Sequence, residues 1–302
     1  MSEKIGLVLS GGGAKGAYEI GVYKALSAMG AEPYIDTIAG TSVGALNAVL
    51  LDSRDAEYAE QVWNNLKITD MLNPDKERLK KLPTLPDIND PDYVGIKPDN
   101  FMDSIVLNGM NLFKTLKKDN AFLDFMKDGL PFNQEKIGRL IDEHVDFSRI
   151  YRKIYVICTD MTNSPKYFIL NNYSQPIQKK IILASSTLPV VYTGTDGVEI
   201  NGINYFDGGV SGDVSNTPVS CLYDNGCRSI IAVHLKRSTD ISNQQRMTDA
   251  DIINIIPSHT LGNLLSGTLN LNNPKVKSDI ELGFNDTMKH MNEIRTMINK
   301  LN

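Results

Sequence analysis

The chain has 302 residues, of which 41% are apolar and 22% charged, the balance of a polypeptide that buries a core. That excludes a disordered chain, a collagen-like repeat and a coiled-coil rod. A formal charge of −5 at pH 7 argues against nucleic acid as a partner, because phosphate binding wants a net basic face.

The first element is Ile5-Gly-Leu-Val-Leu9, a short apolar run that reads as a buried strand. It is shorter than a secretory apolar region or a membrane span. The expectation is therefore a cytoplasmic protein whose membrane contact is peripheral. The run enters Ser10-Gly-Gly-Gly-Ala-Lys-Gly16, followed by a helical pattern with Ala17, Ile20, Gly21, Ala25 and Leu26 on one side, which Gly30 stops. A second strand, 34–39, turns at Gly40-Thr-Ser-Val-Gly44 into an Ala/Leu-rich helix from Ala45 to Leu51.

From about 67 to 135 the rhythm breaks. Pro74, Pro83, Pro86, Pro91 and Pro98 interrupt the segment, and apolar stretches follow with Lys114, Lys117 and Lys118 beside them. Two readings stand: an inserted helical region with its own small core, or a lid facing a membrane. The rhythm then resumes with a helix carrying Ile137, Leu140 and Ile141 and a strand over 153–158. Further strands are expected at 166–170, 204–206 and 229–235, and helices at 177–185 and 218–224. Residues 238–275 read as polar loop, and the tail from 277 to about 301 reads as helix. Strand–turn–helix alternation predicts a single α/β domain over residues 1–302: three layers, α/β/α, around a mostly parallel central sheet, with a helical insertion. Cys158, Cys221 and Cys227 are too few and too scattered for a disulfide framework or a zinc site, and suit packing in a reducing compartment.

The sharpest chemical signal is Gly40-Thr41-Ser42-Val43-Gly44, a G-x-S-x-G between a strand and a helix. A tight turn there lifts a serine hydroxyl out of the sheet's carboxyl edge. The helix N-terminus beside it favours developing negative charge. A serine that merely caps the helix is the plain alternative. The loop Gly11-Gly12-Gly13-Ala14-Lys15-Gly16 can aim backbone N–H groups at one anion. It formally fits a dinucleotide fingerprint, but the acid such a site needs is misplaced, since Asp36 starts its strand. A Walker A loop fails because Gly16 follows Lys15. An oxyanion hole fits better, with tight strand–helix packing as the remaining reading.

A serine nucleophile needs a base. None of His144, His234, His259 and His290 sits in a motif-like setting, though His234 or His259 could complete a Ser–His–Asp triad; the better candidate is Asp207, which ends a strand in Phe206-Asp207-Gly208-Gly209. Alone, that tetrapeptide could be an ordinary Asp-Gly turn.

Taken in order, these blocks resemble the patatin-like phospholipases. Leu9 to Ala17 is similar to the family's oxyanion loop, Gly40 to Gly44 to its nucleophile elbow, and Ala184-Ser-Ser-Thr-Leu-Pro189 to a further block of small residues. Phe206 to Gly209 resembles the segment that carries the family's dyad aspartate. The resemblance spans residues 5–210 and implies hydrolysis of fatty-acyl esters in phospholipids, lysophospholipids or neutral lipids. It assigns Ser42 as nucleophile, Asp207 as base and the amides near Gly12, Gly13 and Ala14 as oxyanion donors. Lys15 belongs either to that electrostatic field or to solvent. No metal and no cofactor is implied. An acyltransferase using the same serine, or a lipid-binding module without catalysis, are the alternatives.

Overall fold

The computed structural model describes residues 4–67, 70, 73–74, 132–187, 197–262 and 273–301. In chain order the elements are β1 (Ile5–Leu9), α1 (Ala17–Ala28), β2 (Ile35–Thr41), α2 (Val43–Ser53), α3 (Ala56–Asn65), β3 (Asn73–Pro74), β4 (Phe132–Asn133), α4 (Glu135–His144), β5 (Lys153–Asp160) and β6 (Pro165–Ile169). There follow α5 (Gln175–Ser185), β7 (Val198–Ile200), β8 (Ile203–Asp207), α6 (Asp213–Asn216), α7 (Val219–Asp224), β9 (Ser229–Val233), β10 (Asp251–Ile255), α8 (Asn273–Lys289) and α9 (Met291–Leu301). The insertion expected at about 67–135 falls almost wholly on residues outside those described.

Period-2 alternation sorts the strand residues into two cores. From β1, Ile5, Leu7 and Leu9 join the larger core with α1, α2, α3, α4, α5, α8 and α9. Val8 faces the other way, with Ala39, Tyr155, Ile157, Ile230 and Ala232, against Val219, Cys221 and Leu222 of α7 and Met247. Helices therefore cover both faces, unequally. Cys158 and Cys221 are buried in these cores as free thiols.

The sheet order is β10-β9-β1-β2-β5-β8-β7, with β6 paired to β5. The first five run parallel, and β6, β7 and β8 join antiparallel. The parallel strands carry the near-continuous apolar runs that burial on both faces demands. β10 lies inside the segment read as loop: its Asp251 and Asn254 dilute the apolar signal, yet Ile253 and Ile255 are buried and it pairs in register with β9. The tail is two helices, broken at His290. α1 and α8 cross with backbones nearly touching, since a Cβ on Gly21 would lie 1.9 Å from the Ile280 carbonyl oxygen and one on Gly283 2.1 Å from that of Tyr18. Among the described residues no helix is long and apolar enough to cross a membrane.

Candidate active site

The carboxyl edge of the parallel sheet gathers the loop after β1 and the turn after β2, the place where open α/β folds collect their ligands. β2 delivers Gly40 and Thr41, and the chain then reverses through Ser42 at φ 56°, ψ −124°. A non-glycine residue with positive φ is strained, and such strain concentrates at functional sites. The flanking glycines make the turn sterically feasible. A Cβ on Gly40 would stand 2.5 Å from the Gly44 carbonyl oxygen, and one on Gly44 2.4 Å from that of Leu9. Thr41 is buried and its hydroxyl donates to the Ser215 carbonyl at 2.6 Å, while Val43 opens α2.

β5 brings in the carboxylate. Its Ile157 pairs with Thr41 at the end of β2, and its next residue, Cys158, pairs with Asp207 at the end of β8. Because β6 occupies the opposite edge of β5 at both positions, β8 arrives end-on to β2. Asp207 is thereby set beside Ser42. Asp207 is 1% exposed. Its Oδ1 accepts from the Gly209 amide at 2.8 Å, and Gly208 packs against the Ile157 carbonyl. Among the described residues, its Oδ2 is buried without a partner in hydrogen-bond geometry. The Ser42 hydroxyl is near enough to favour the charged carboxylate, as does the Gly209 amide, but burial outweighs both and raises the pKa from 3.8 to about 6. A contact that tightens only when substrate arrives is common at catalytic pairs.

One short segment holds both residues. The Ser42 amide donates to Ser185 Oγ at 2.9 Å, and that hydroxyl donates to the Ile157 carbonyl at 2.6 Å. Two residues on, the Thr187 carbonyl accepts from the Asp207 amide at 2.9 Å. The small-residue block at the end of α5 thus spaces Ser42 from the Asp207 carboxylate, a role its composition alone did not reveal. We expect Ser185→Ala to lower kcat about 10- to 100-fold with little change in KM, through misplacement of the serine. Steady-state kinetics on a soluble ester, beside a thermal melt, would check this; an unchanged kcat would remove the role.

The glycine loop is clamped by Asn216, another residue not singled out from sequence. Asn216 Nδ2 donates to the Gly11 carbonyl at 3.1 Å, and the Gly11 amide donates to the Asn216 carbonyl at 3.0 Å. The Lys15 amide turns back to the Gly12 carbonyl at 3.4 Å. Gly11 and Lys15 therefore have their donors engaged. Among the described residues, the amides of Gly12, Gly13 and Ala14 enter no such loop bond. Gly16 is held from behind, where Asn47 Nδ2 donates to its carbonyl at 3.0 Å and to Glu19 Oε2 at 2.8 Å. Burial pushes Glu19 up to about 8, so this carboxyl is mostly protonated at neutral pH. Lys15 is partly buried, and burial together with Lys236 and Lys275 lowers its pKa.

The histidines lie in other settings. His234 bonds Asn254 and Thr239, and burial lowers its pKa; His144 bonds Tyr58, His290 bonds Glu293, and His259 is exposed.

Comparison with known proteins places the chain in a family. The chain is 53% identical over 53 residues to a lysophospholipase nte1 from Aspergillus terreus, a match covering 18% of this chain and only 3% of that much longer protein. Its fold is similar to that of VipD from Legionella pneumophila, with TM-score 0.51 and 15% identity, over 97% of this chain and 67% of the other. It also aligns with human GIVD cytosolic phospholipase A2 at TM-score 0.49 and 10% identity, over 99% of this chain and 59% of that one. The sequence model of the patatin-like phospholipases matches residues 7–222, the stretch holding the glycine loop, the elbow and Asp207, and the chain belongs to that family.

Proposed function

We propose that the protein is a serine lipid acyl hydrolase that cleaves fatty-acyl esters of phospholipids, lysophospholipids or neutral lipids through Ser42 and Asp207. The observation that carries this reading is the pairing of a strained, left-handed serine with a buried carboxyl group whose Oδ2 lacks a partner among the described residues. An ordinary aspartate is too weak a base for the task; a pKa near 6 brings it close to working pH, where general-base catalysis is efficient.

In the first step Asp207 takes the Ser42 proton as Oγ bonds to the ester carbonyl carbon. The carbonyl oxygen becomes an oxyanion, faced by the amides of Gly12, Gly13 and Ala14 and by the N-terminal dipole of α2. Collapse breaks the bond to the alcohol, which leaves with the proton from Asp207, and the acyl group stays on Ser42. Water then attacks the acyl carbon, giving its proton to Asp207. Collapse of this second intermediate breaks the bond between Oγ and the acyl carbon, Oγ takes the proton back from Asp207, and the fatty acid leaves with both residues restored. Lys15 adds positive potential beside the loop. The free thiols of Cys158 and Cys221 fit a reducing, cytoplasmic setting.

The test is labelling of the intact protein with a fluorophosphonate, followed by peptide mass mapping, together with release of fatty acid from phosphatidylcholine and lysophosphatidylcholine vesicles. Adduct on Ser42 and fatty-acid release are expected. Absence of both from folded protein would remove the reading. As Asp207 must be ionised to act, kcat/KM should fall about tenfold per pH unit below 6 and level off above it.

A further inference from the structure

Glu19, on the first turn of α1, is wholly buried, and among the described residues no cation pairs with it. Glutamate seldom lies fully buried without such a partner, and the steps above give this one no task. Its Oε2 accepts from Asn47 Nδ2 at 2.8 Å, and the Ser10 amide is near enough to favour the charged form. Among the described residues its Oε1 has no partner in hydrogen-bond geometry. These contacts reach both ends of the glycine loop. Ser10 opens the loop, and Asn47 Nδ2 also donates to the carbonyl of Gly16, which closes it, at 3.0 Å. Gly16 packs so tightly here that a Cβ on it would meet Val43 Cγ2 at 2.5 Å and Asn47 Nδ2 at 3.0 Å. The amides of Gly12, Gly13 and Ala14 lie between these two anchors, and Asn47 belongs to the helix that Ser42 opens.

We propose that Glu19 is a positioning residue for the oxyanion donors: its neutral carboxyl ties the two ends of the glycine loop to α2, and loss of its proton sets a negative charge beside the loop and slows acylation. The inference rests on the reading of Ser42 as nucleophile and of those amides as oxyanion donors. A charge buried where water is scarce acts with little screening, so an ionised Glu19 would oppose the oxyanion that the loop must hold. The contacts from Asn47 and Ser10 do not offset burial, which pushes the group up to about 8. Other charges on the elements packed against α1 are engaged elsewhere. Lys24 of α1 pairs with Glu60 of α3, Tyr18 donates to Asp286 of α8 at 3.1 Å, Lys275 pairs with Asp279 of α8, and Asp52 of α2 pairs with Arg152. Lys15, on the loop itself, is the other group there that sheds its proton early, since burial, Lys236 and Lys275 lower its pKa.

One readout of this role is independent of turnover. Trp63 is the chain's single tryptophan, and its Nε1 donates to Asn47 Oδ1 at 2.9 Å. In the intact protein its emission should change with a midpoint near pH 8, and Glu19→Gln should abolish that titration. The second readout is the pH profile of p-nitrophenyl butyrate hydrolysis, corrected for the uncatalysed rate. The plateau of kcat/KM should end near pH 8 and fall at least tenfold by about pH 9.5, reversibly. Glu19→Gln, neutral at every pH, should hold its plateau through that range, whereas Lys15→Met should keep the fall. Glu19→Leu, which cannot accept from Asn47, should lower kcat about tenfold at pH 7 with KM little changed; should it not fold, the glutamine comparison decides. A plateau that runs level to about pH 9.5, or an equal fall in folded Glu19→Gln, would overturn the proposal. Failure of the Ser42 reading is distinct: hydrolysis and fluorophosphonate labelling would be missing at every pH while Trp63 emission still titrated.

Discussion

Ser42→Ala is expected to lower ester hydrolysis by about 10,000-fold or more, the scale on which removing the nucleophile of a serine hydrolase acts. The residual rate should come from substrate binding and the oxyanion donors, which the substitution leaves in place. The fold should survive it, because the Ser42 groups that hold the elbow are backbone ones: its amide on Ser185 and its carbonyl on the Ala45 and Leu46 amides. Alanine keeps the β-carbon and so keeps the strain at φ 56°; the melting temperature should therefore move little. The decisive comparison is p-nitrophenyl butyrate turnover against circular dichroism on one preparation. Native melting with most activity retained would take the nucleophile away from Ser42.

Asp207→Asn should cost turnover almost as much, and it should also stabilise the protein. Asparagine keeps the shape and can still accept from the Gly209 amide, but it cannot take a proton from Ser42. Members of one catalytic unit are not additive, so the double variant with Ser42→Ala should be no slower than either single one. The stability effect follows from linkage. Burial raises the carboxyl's pKa from 3.8 to about 6, so between those values the folded state binds more protons than the unfolded state. Stability contributed by this group is therefore highest below about pH 4, declines as pH rises to about 6, and is constant above. The penalty above pH 6 is about 3 kcal/mol at most. The variant should accordingly melt a few degrees higher at pH 8, with the gain shrinking towards pH 4. Replacing each of His144, His234, His259 and His290 by Gln should cost far less turnover. A histidine variant as inactive as Ser42→Ala, beside an active Asp207→Asn, would make this a Ser–His hydrolase.

The linkage also explains why a polar group with so poor a set of partners sits in this position. A buried carboxyl with an orphaned oxygen is destabilising in itself. Moving it to the surface, or giving Oδ2 a strong donor, would return its pKa towards 3.8 and, on the mechanism proposed above, weaken it as a base. The gain in stability and the loss in turnover expected for Asp207→Asn are two readings of one environment.

What the sequence determined by itself is what short-range sterics and alternation write into neighbouring residues. The glycine loop, the elbow and the Asp-Gly-Gly turn were legible because each needs small residues within a few positions of the functional one. β1, β2 and β5 were legible because burial on both faces demands unbroken apolar runs. Where those local demands slacken, the reading failed. β10 carries Asp251 and Asn254 at a sheet edge and passed for loop, α3 has only Ala56, Ala59 and Trp63 buried and gave no clear signal, and the tail's break at His290 has no glycine or proline to mark it. The site itself was decided by tertiary structure. Ser42 and Asp207 are 165 positions apart, and only the end-on arrival of β8 beside β2, read through consecutive residues of β5, sets them together. Ser185 and Thr187 became recognisable as their spacer only through bonds to distant backbone. The raised pKa of Asp207 was likewise invisible in the chain, because a pKa depends on the water and charge a fold removes or supplies around a group, and no local pattern of residues records that.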